Sequence, residues 1–189
     1  MQGLDEVTRQ FVQLFESQGI PYALMGGLAV RIHALPRATF DVDFTILLDR
    51  GELPRLYQLV EALGFTMPEA QRGGWLDQVR GLPVVKFQIW GDERAIDVDI
   101  FLAEFEFQRQ LLKRRQRHPA NGLTAWFVSP EDLILLKLLA GRPKDLVDVG
   151  DILFIQGQLN QDYLRHWAHE LGVDVALTQA FQKNQADGG

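Results

Sequence analysis

The sequence predicts an α/β (α+β) protein in which a mixed β-sheet is flanked by helices and the C-terminal third is helical. Three observations predict this class. Segments 37–48 and 95–103 alternate apolar and polar residues as strands do, and the second segment closes a β-hairpin. From residue 126 onward the apolar spacing becomes helical. We therefore expect a core over residues 1–125, a helical region over 126–182 packed on that core, and a disordered tail over 183–189.

Glycine and proline divide the N-terminal half into short elements. Val7, Phe11 and Phe15 recur at helical spacing, so the chain opens with an amphipathic helix. Pro36 ends a second helix, and Gly64 closes a third. The predicted elements, in order, are helix 4–18, strand 22–25, helix 28–35, strand 37–48, helix 53–63 and a polar loop over 69–81.

The second half opens with a hairpin signal. Segments 84–90 and 95–103 flank the turn "GDER". Further along, Ser129, Pro130 and Asp132 have the residue types of an N-cap, a first-turn proline and a capping-box partner. The predicted helices after the hairpin cover 105–116, 144–155 and 162–171, and the segment 126–141 contains a further helix whose first residue is Pro130.

Composition and charge limit the classes of function. The chain has 189 residues, of which 47% are hydrophobic, and this is enough for one domain with its own core. The absence of cysteine excludes disulfides, thiolate metal sites and a cysteine nucleophile. A net charge of −6 disfavours broad nucleic-acid affinity but permits a local basic patch. The longest apolar run, 133–140, is too short for a membrane span, and no secretory leader opens the chain, so we expect a cytoplasmic protein.

The stretch "MGGLAVRIHALPRATFDVDF", residues 25–44, begins with two adjacent glycines. Gly26 and Gly27 follow a predicted strand and precede a predicted helix. Unpaired N–H groups at such a positive helix end accept phosphate without a cationic side chain. An ordinary turn is the alternative, because glycine pairs are common in turns.

The same stretch ends with two aspartates. Arg37, Thr39, Asp41 and Asp43 lie two residues apart on the predicted strand, so their side chains point the same way. Neighbouring carboxylates on a half-buried strand repel each other and lose hydration, and a positive partner must offset this cost. A divalent cation with oxygen ligands is one such partner, and arginines on a solvated sheet face are the other. The alternating residues, Phe40, Val42 and Phe44, are expected in the core.

The hairpin repeats the aspartate pattern in "AIDVDIF", where Asp97 and Asp99 share one face. Placed side by side, the two strands would supply the three carboxylates that hold two divalent metals in phosphoryl or nucleotidyl transfer. We expect Asp41, Asp43 and Asp99 to be these ligands. Asp97 is either a supporting ligand or a residue behind the ligands.

The order "GG", thirteen residues, "DVD" and a third aspartate on a later strand resembles the polymerase β-like nucleotidyltransferase superfamily. The fuller string "GGLAVRIHALPRATFDVDF" is similar to its small bacterial members, the AbiEii toxin-like and minimal nucleotidyltransferase groups. The segment "SPEDLILLKLLAGRPKDLVDVGDIL" is similar to the lysine-bearing helix and the K-D-x-x-D stretch of the same group. The resemblance covers residues 20–172, which is most of the chain.

This resemblance implies a nucleotidyltransferase-like fold and a metal-dependent activity. A nucleoside monophosphate would move from a nucleoside triphosphate (NTP), such as ATP, to an acceptor, with release of pyrophosphate. The implied cofactor is Mg²⁺, with Mn²⁺ as an alternative. The implied catalytic and metal-binding residues are Asp41, Asp43 and Asp99, with Asp97 as a further metal ligand. The implied nucleotide-binding residues are Gly26, Gly27, Arg37, Thr39 and Lys137.

The partners and two other functions stay open. The acceptor would be a small molecule, a tRNA or a protein, and a cognate antitoxin or another partner protein is implied, but no membrane. A silent member of the same fold would bind nucleotide or a partner without turnover. A glycosyltransferase would use one Asp-x-Asp pair with manganese and a sugar nucleotide, which leaves the glycines and the hairpin aspartates without a role.

Two further features carry charge. Lys137 lies among apolar neighbours on its predicted helix, so its ammonium group must reach outward or meet a negative partner. That partner is either the triphosphate or one of Asp145 and Asp148. The segment 109–118, "RQLLKRRQRH", concentrates five arginine and lysine residues, and it either contacts phosphate-rich ligands or forms a solvated helix face.

Overall fold

The described part of the chain forms seven strands of one mixed sheet. The computed structural model describes residues 3–73, 77–79, 81–91, 94–120 and 122–187. The strands are β1 (Tyr22–Leu24), β2 (Asp41–Ile46), β3 (Asp77–Val79), β4 (Leu82–Trp90), β5 (Ala95–Leu102), β6 (Gln116–Ala120) and β7 (Leu123–Phe127). Their order across the sheet is β3-β4-β5-β2-β1-β7-β6. The pairs β2–β5 and β1–β7 are parallel and the other neighbours are antiparallel, so the predicted mixed sheet is confirmed.

Helices flank this sheet and make up the C-terminal third, as predicted. Within the described ranges they are α1 (Leu4–Gln18), α2 (Gly26–His33), α3 (Leu53–Ala62), α4 (Glu69–Arg72), α5 (Glu106–Arg114), α6 (Pro130–Ala140), α7 (Pro143–Ile155), α8 (Gln161–Glu170) and α9 (Asp174–Asp187). None of the described helices is long and apolar enough to cross a membrane.

An aromatic cluster holds α1 against the sheet. Phe11 and Phe15 of α1 are fully buried, and their ring centroids lie 5.8 and 5.1 Å from that of Phe44 on β2. Phe65 and Phe87 contact Phe11 at 4.9 and 6.2 Å. Tilted and edge-to-face rings at these distances attract one another beyond the effect of apolar burial. The cluster therefore fixes the position of β2, the strand that begins with Asp41.

Helix α6 is the centre of the C-terminal third. Its N-cap is Ser129, whose Oγ accepts a hydrogen bond from Asp132 N at 3.2 Å, as the capping pattern predicted. The helix ends at Gly141 in the left-handed conformation. Leu133, Ile134 and Leu135 are three consecutive residues with no exposed surface. Since consecutive residues point in different directions, α6 is covered on several sides by its neighbours.

Three segments differ from the sequence-based expectations. The basic stretch 109–118 is not one helix, because α5 ends at Arg114 and the chain enters the β6–β7 hairpin, which was not predicted. Strand β7 also crosses the expected boundary between residues 125 and 126. The expected loop over 69–81 contains α4 and β3, with 74–76 and 80 outside the described residues.

The start of β2 and the end of the chain also differ. The strand begins at Asp41 rather than at residue 37, and Phe40 is 53% exposed instead of lying in the core. The reason is that Phe40 precedes the first paired residue of β2, where Arg94 covers its ring at 3.3 Å. In the expected tail, residues 183–187 belong to α9, and 188–189 lie outside the described residues. The turn residues 92 and 93 of the β4–β5 hairpin also lie outside them.

Candidate active site

The turn between β1 and α2 has no space for side chains at either glycine. Gly26 has a φ of +60°, a left-handed conformation that favours glycine. A Cβ on Gly26 would lie 2.7 Å from Asp43 Cγ, and a Cβ on Gly27 would lie 2.6 Å from Thr39 Cβ. Both distances are far below carbon–carbon contact. The glycine turn therefore packs directly on the segment that carries the aspartates, and both halves of the 25–44 stretch belong to one site.

The N-terminus of α2 supplies positive polarity to this site. The first N–H groups of a helix have no intrahelical partner and carry partial positive charge. The N-cap residue is Met25, whose side chain makes no capping hydrogen bond in the described structure. Met25 N instead donates to Asp43 O at 2.9 Å. The helix end is thereby fixed beside the carboxylate of Asp43.

The parallel pairing of β2 and β5 brings the four aspartates together. Asp41 lies opposite Asp97 and Asp43 lies opposite Asp99, and alternation along both strands places all four side chains on one face. Asp41, Asp43 and Asp99 line a cavity of about 240 Å³. Asp97 instead lines a second cavity of about 470 Å³.

The two cavities share one wall. Asp41, Asp99 and Lys86 line both of them. The first cavity is otherwise bounded by Met25, Gly26, Asp43, Leu82, Phe101, Leu133, Leu136, Lys137, Leu139, Ala140, Arg142 and Asp145. The second is otherwise bounded by Thr66, Met67, Pro68, Phe87, Gln88 and Asp97. The glycine turn, Lys137 and Arg142 therefore belong to the first cavity alone.

Crowding of negative charge changes the acidity of these carboxyl groups. Burial, together with the charges of Asp41 and Asp99, raises the pKa of Asp43 to about 7. Burial also raises the pKa of Asp99, against the opposing effect of Lys86. The pKa of Asp41 is lowered, because hydrogen bonds led by that from Thr39 outweigh its burial. Lys137 and Arg142 oppose this rise in the pKa of Asp43 but do not offset it, so the site has a deficit of positive charge at Asp43.

The donor atoms at this wall are of the kind that hard divalent cations prefer. Carboxylate oxygens are typical ligands of Mg²⁺, and an ion would supply the positive charge that Asp43 lacks. In the described residues, no group of three or more His, Cys, Asp or Glu side chains already lies close enough to hold an ion. Lys86 Nζ lies 3.5 Å from Asp99 Oδ2, and Thr39 Oγ1 donates to Asp41 Oδ1 at 2.7 Å. The residues thus fit a divalent cation by chemistry and charge, with Lys86 and Thr39 as their present partners.

Lys137 lines the first cavity and is buried in an ion-pair network. Only 5% of the residue is exposed, and its Nζ lies 2.9 Å from Asp145 Oδ1 and 2.8 Å from Asp148 Oδ2. Arg142 binds Asp145 through Nε and Nη2 at 2.5 and 3.2 Å. The sequence analysis left either aspartate or the triphosphate as the partner of Lys137, and the structure shows contact with both aspartates.

Arg37 joins the same network from the segment before β2. Its Nε and Nη2 donate to the two carboxylate oxygens of Asp148 at 2.6 and 2.8 Å. Arg37 thus lies outside the strand face on which it was expected beside Thr39, Asp41 and Asp43. The network of three cations and two carboxylates carries a net charge of +1. Asp148 thereby connects the segment before β2 to Lys137 of α6.

The basic stretch 109–118 lies away from both cavities. Arg114 Nη2 donates to Glu131 at 2.9 Å and the guanidinium covers the Tyr163 ring at 3.8 Å. Arg115 and Arg117 lie 4.6 and 5.2 Å from the ring centroid of Trp126. These side chains therefore make contacts within the protein, and none of them lines either cavity.

Two residues of the shared wall and first cavity were missed by the sequence analysis. Lys86 is the ion-pair partner of Asp99, and the hairpin register contains the signal for it. A four-residue turn at 91–94 pairs residue 90 with 95, which places Lys86 opposite Asp99, as the structure shows. Arg142 follows the left-handed Gly141 at the end of α6, and no local pattern predicts that its side chain lies at the cavity.

A family model described as "Nucleotidyltransferase of unknown function (DUF6036)" matches residues 2–185. A comparison with curated protein sequences finds no significant match.

Solved structures of similar fold include a nucleotidyltransferase-like protein, an antibiotic-resistance factor and an antibiotic adenylyltransferase. An antigenic nucleotidyltransferase-like protein from Paracoccidioides brasiliensis has 24% identity and a TM-score of 0.53, over 93% of this chain and 90% of that one. The antibiotic-resistance factor ANT(2'')-Ia has 13% identity and a TM-score of 0.54, over 96% and 95% of the two chains. The lincosamide adenylyltransferase LnuA has 16% identity and a TM-score of 0.54, over 82% and 98%. At these identities the likeness supports the fold alone.

Proposed function

The chain belongs to the DUF6036 family of nucleotidyltransferases, and on this premise we propose that it transfers a nucleoside monophosphate from an NTP to an acceptor hydroxyl. The acceptor oxygen forms a bond to the α-phosphorus, the bond from that phosphorus to the β-phosphate oxygen breaks, and pyrophosphate leaves. One observation carries the proposal. The glycine turn packs directly on Asp43 and Thr39, so a helix N-terminus and three carboxylates line the same cavity.

The first cavity is the proposed NTP site. Gly26 and Gly27 leave the start of α2 without side chains, so phosphate oxygens can approach its N–H groups closely. Lys137 and Arg142 line this cavity and belong to the network of net charge +1, which favours a polyanion. Arg37 contributes its charge to the network through Asp148. The Thr39 hydroxyl, which here donates a hydrogen bond to Asp41, is also proposed to contact the nucleotide.

Asp41, Asp43 and Asp99 are the proposed ligands of Mg²⁺, with Mn²⁺ as the alternative. When bound, such an ion supplies positive charge at the phosphates and at the attacking oxygen. Asp97 lines only the second cavity, where Gln88 Nε2 donates to its Oδ1 at 2.7 Å. We therefore assign Asp97 a supporting role on the acceptor side.

The second cavity is the proposed acceptor site. It meets the first at Asp41 and Asp99, so an acceptor hydroxyl there can reach the α-phosphate. Asp99 lines both cavities, so its carboxylate is placed to accept the hydroxyl proton at Oδ2. Lys86 holds that oxygen at 3.5 Å before the ligands bind. The acceptor class, whether small molecule, tRNA or protein, is set by the walls of this second cavity.

A catalytically silent, nucleotide-binding protein is the second candidate function. The observation that favours it is the ion pair between Lys86 and Asp99, because Asp99, a proposed metal ligand, already has a cationic partner. In this case NTP would bind in the first cavity without release of pyrophosphate.

Label transfer separates the two functions. The purified chain is incubated with Mg²⁺ and each α-labelled NTP, and total cellular RNA, protein and small-molecule extracts are added separately as acceptors. The variants Asp41→Asn and Asp43→Asn should lower transfer by about a hundredfold or more. Asp49→Asn, an exposed aspartate beyond the end of β2, is the matched control and should keep full transfer. NTP binding by calorimetry with no label transfer to any fraction would favour the silent protein.

The resemblance to AbiEii toxin-like enzymes extends the proposal to a toxin–antitoxin role. Expression in a bacterial host should then arrest growth, and Asp43→Asn should relieve the arrest. Normal growth at high expression of an enzyme that transfers label in vitro would reject the toxin role and leave the transferase intact.

A further inference from the structure

The outer face of α7 is an apolar stripe. Val147 is 62% exposed and Phe154 is 70% exposed. Pro143 and Gly150 complete the spacing 143, 147, 150 and 154, which follows one side of a helix. Leu146 and Ile155 of the same helix are also exposed. Single exposed apolar residues are ordinary, but a continuous stripe of them marks an interaction surface.

Gly150 makes a notch in the middle of this stripe. A Cβ added to it would meet no atom within 4 Å, so no contact within the described chain requires a glycine. Its backbone is helical rather than left-handed. Glycine inside a helix costs stability relative to alanine. A surface that approaches α7 from outside would use the notch, because the missing side chain lets another helix come close.

Two opposite charges flank the stripe on one side. Lys144 and Asp151 are seven residues apart, two helical turns, and therefore lie on the same edge. In the residues that the structure describes, neither forms a salt bridge. The edge is positive toward the N-terminus of α7 and negative toward its C-terminus.

The charges and shape of this face of α7 are complementary to those of a second α7 that runs antiparallel to it. We propose that α7 is a homodimer interface in which a second copy of the chain lays its own α7 antiparallel on the first. A two-fold axis passing near residue 148 places Lys144 beside Asp151 of the second copy, and Val147 over Gly150 of the second copy. The same axis places Phe154 over Pro143 of the second copy. Each of these contacts occurs twice, as two-fold symmetry requires.

The charges favour a second copy in this orientation over the alternatives. A parallel pair of α7 helices would put Lys144 beside Lys144 and Asp151 beside Asp151, which is repulsive. The helix–helix contact is smaller than a standard interface of about 800 Å² per partner, so the dimer should dissociate in the micromolar range. The inference does not depend on the proposed function.

Charge exchange tests the interface. Sedimentation velocity over a range of concentrations measures the dimer dissociation constant of the wild-type chain. Lys144→Asp and Asp151→Lys should each weaken the dimer by about tenfold or more, because each puts like charges together twice. The double variant K144D/D151K restores opposite charges and should return the constant to within about threefold of wild type. Lys144→Asp puts a negative charge near the N-terminus of α7, and Asp151→Lys puts a positive charge toward its C-terminus. Both charges interact favourably with the helix dipole, so the variants should fold, and circular dichroism checks this.

Two further measurements keep the test specific. Gly150→Leu should abolish the dimer by filling the notch, while Lys183→Asp on α9 is the matched charge-reversal control and should leave it unchanged. Sedimentation is the readout because Lys144 lies close enough to Asp41 to lower the pKa of that group. A wild-type chain that is monomeric at the highest attainable concentration would overturn the proposal. A dimer that is unaffected by the single charge variants, or a double variant as weak as the singles, would overturn it too.

Discussion

Replacing Gly27 by alanine probes the close packing between the glycine turn and the strand that carries the aspartates. In an open helical position the change from glycine to alanine stabilises a protein by about 0.5–1 kcal/mol. At Gly27 the new Cβ would lie 2.6 Å from Thr39 Cβ, and overpacking of this kind costs about 1–3 kcal/mol. We therefore expect Gly27→Ala to lower the free energy of unfolding by about 1–2 kcal/mol.

The matched control is the same substitution at Gly150, whose Cβ would meet nothing within 4 Å. Gly150→Ala should raise the free energy of unfolding by about 0.5–1 kcal/mol. Urea denaturation of both variants is measured at a protein concentration low enough to keep the chain monomeric. Adding Thr39→Gly removes the blocking atoms, so Gly27→Ala should cost less in that background. A Gly27→Ala chain as stable as wild type would refute the tight contact.

Three other outcomes follow from the charges. Lys137→Met leaves Asp145 and Asp148 buried with only their guanidinium partners and should lower the free energy of unfolding by about 1–3 kcal/mol, measured in urea; a loss below about 0.5 kcal/mol would contradict the buried network. Burial alone would raise the pKa of Asp148, but hydrogen bonds from Arg37 and Lys137 lower that pKa below its ordinary value. The native state then binds fewer protons than the unfolded chain, so this stability is present above about pH 4 and is lost as the pH falls through the lowered native pKa. Unfolding measured from about pH 6 to pH 3 should show a smaller acid loss in Asp148→Asn, and an unchanged slope would exclude the linkage. Mn²⁺ affinity, measured by electron paramagnetic resonance, should fall about tenfold or more in Asp43→Asn but stay near wild type in Asp97→Asn. An equal loss of affinity in the two variants would show that Asp97 is also a metal ligand.

The sequence predicted the elements whose residues follow a regular pattern. Alternation in "FDVDF" and "AIDVDIF" predicted β2 and β5 with their aspartates on one face, and the structure pairs these strands side by side. Capping residues predicted the start of α6 at Ser129. These predictions succeed because strand alternation and helix capping depend on residues within a few positions of each other.

The features that the sequence did not predict depend on distant contacts or weak local preference. The partner of Arg37 is Asp148, which is 111 residues away, and no local pattern encodes such a pair. Strand β6, "QRHPA", contains proline and polar residues that are unfavourable in strands. It is tolerated because β6 is at the edge of the sheet and pairs only with β7 among the described strands.

The shared wall of the two cavities has a thermodynamic consequence. Asp41, Asp99 and Lys86 face both spaces, so whatever neutralises them from one side alters the field that a molecule on the other side experiences. Under the proposed function the two sides hold a nucleotide and an acceptor, and their binding is mutually linked: the factor by which the nucleotide changes acceptor affinity equals the factor by which the acceptor changes nucleotide affinity. This coupling factor does not depend on which ligand is added first. Four calorimetric titrations, each ligand with and without the other, would measure it.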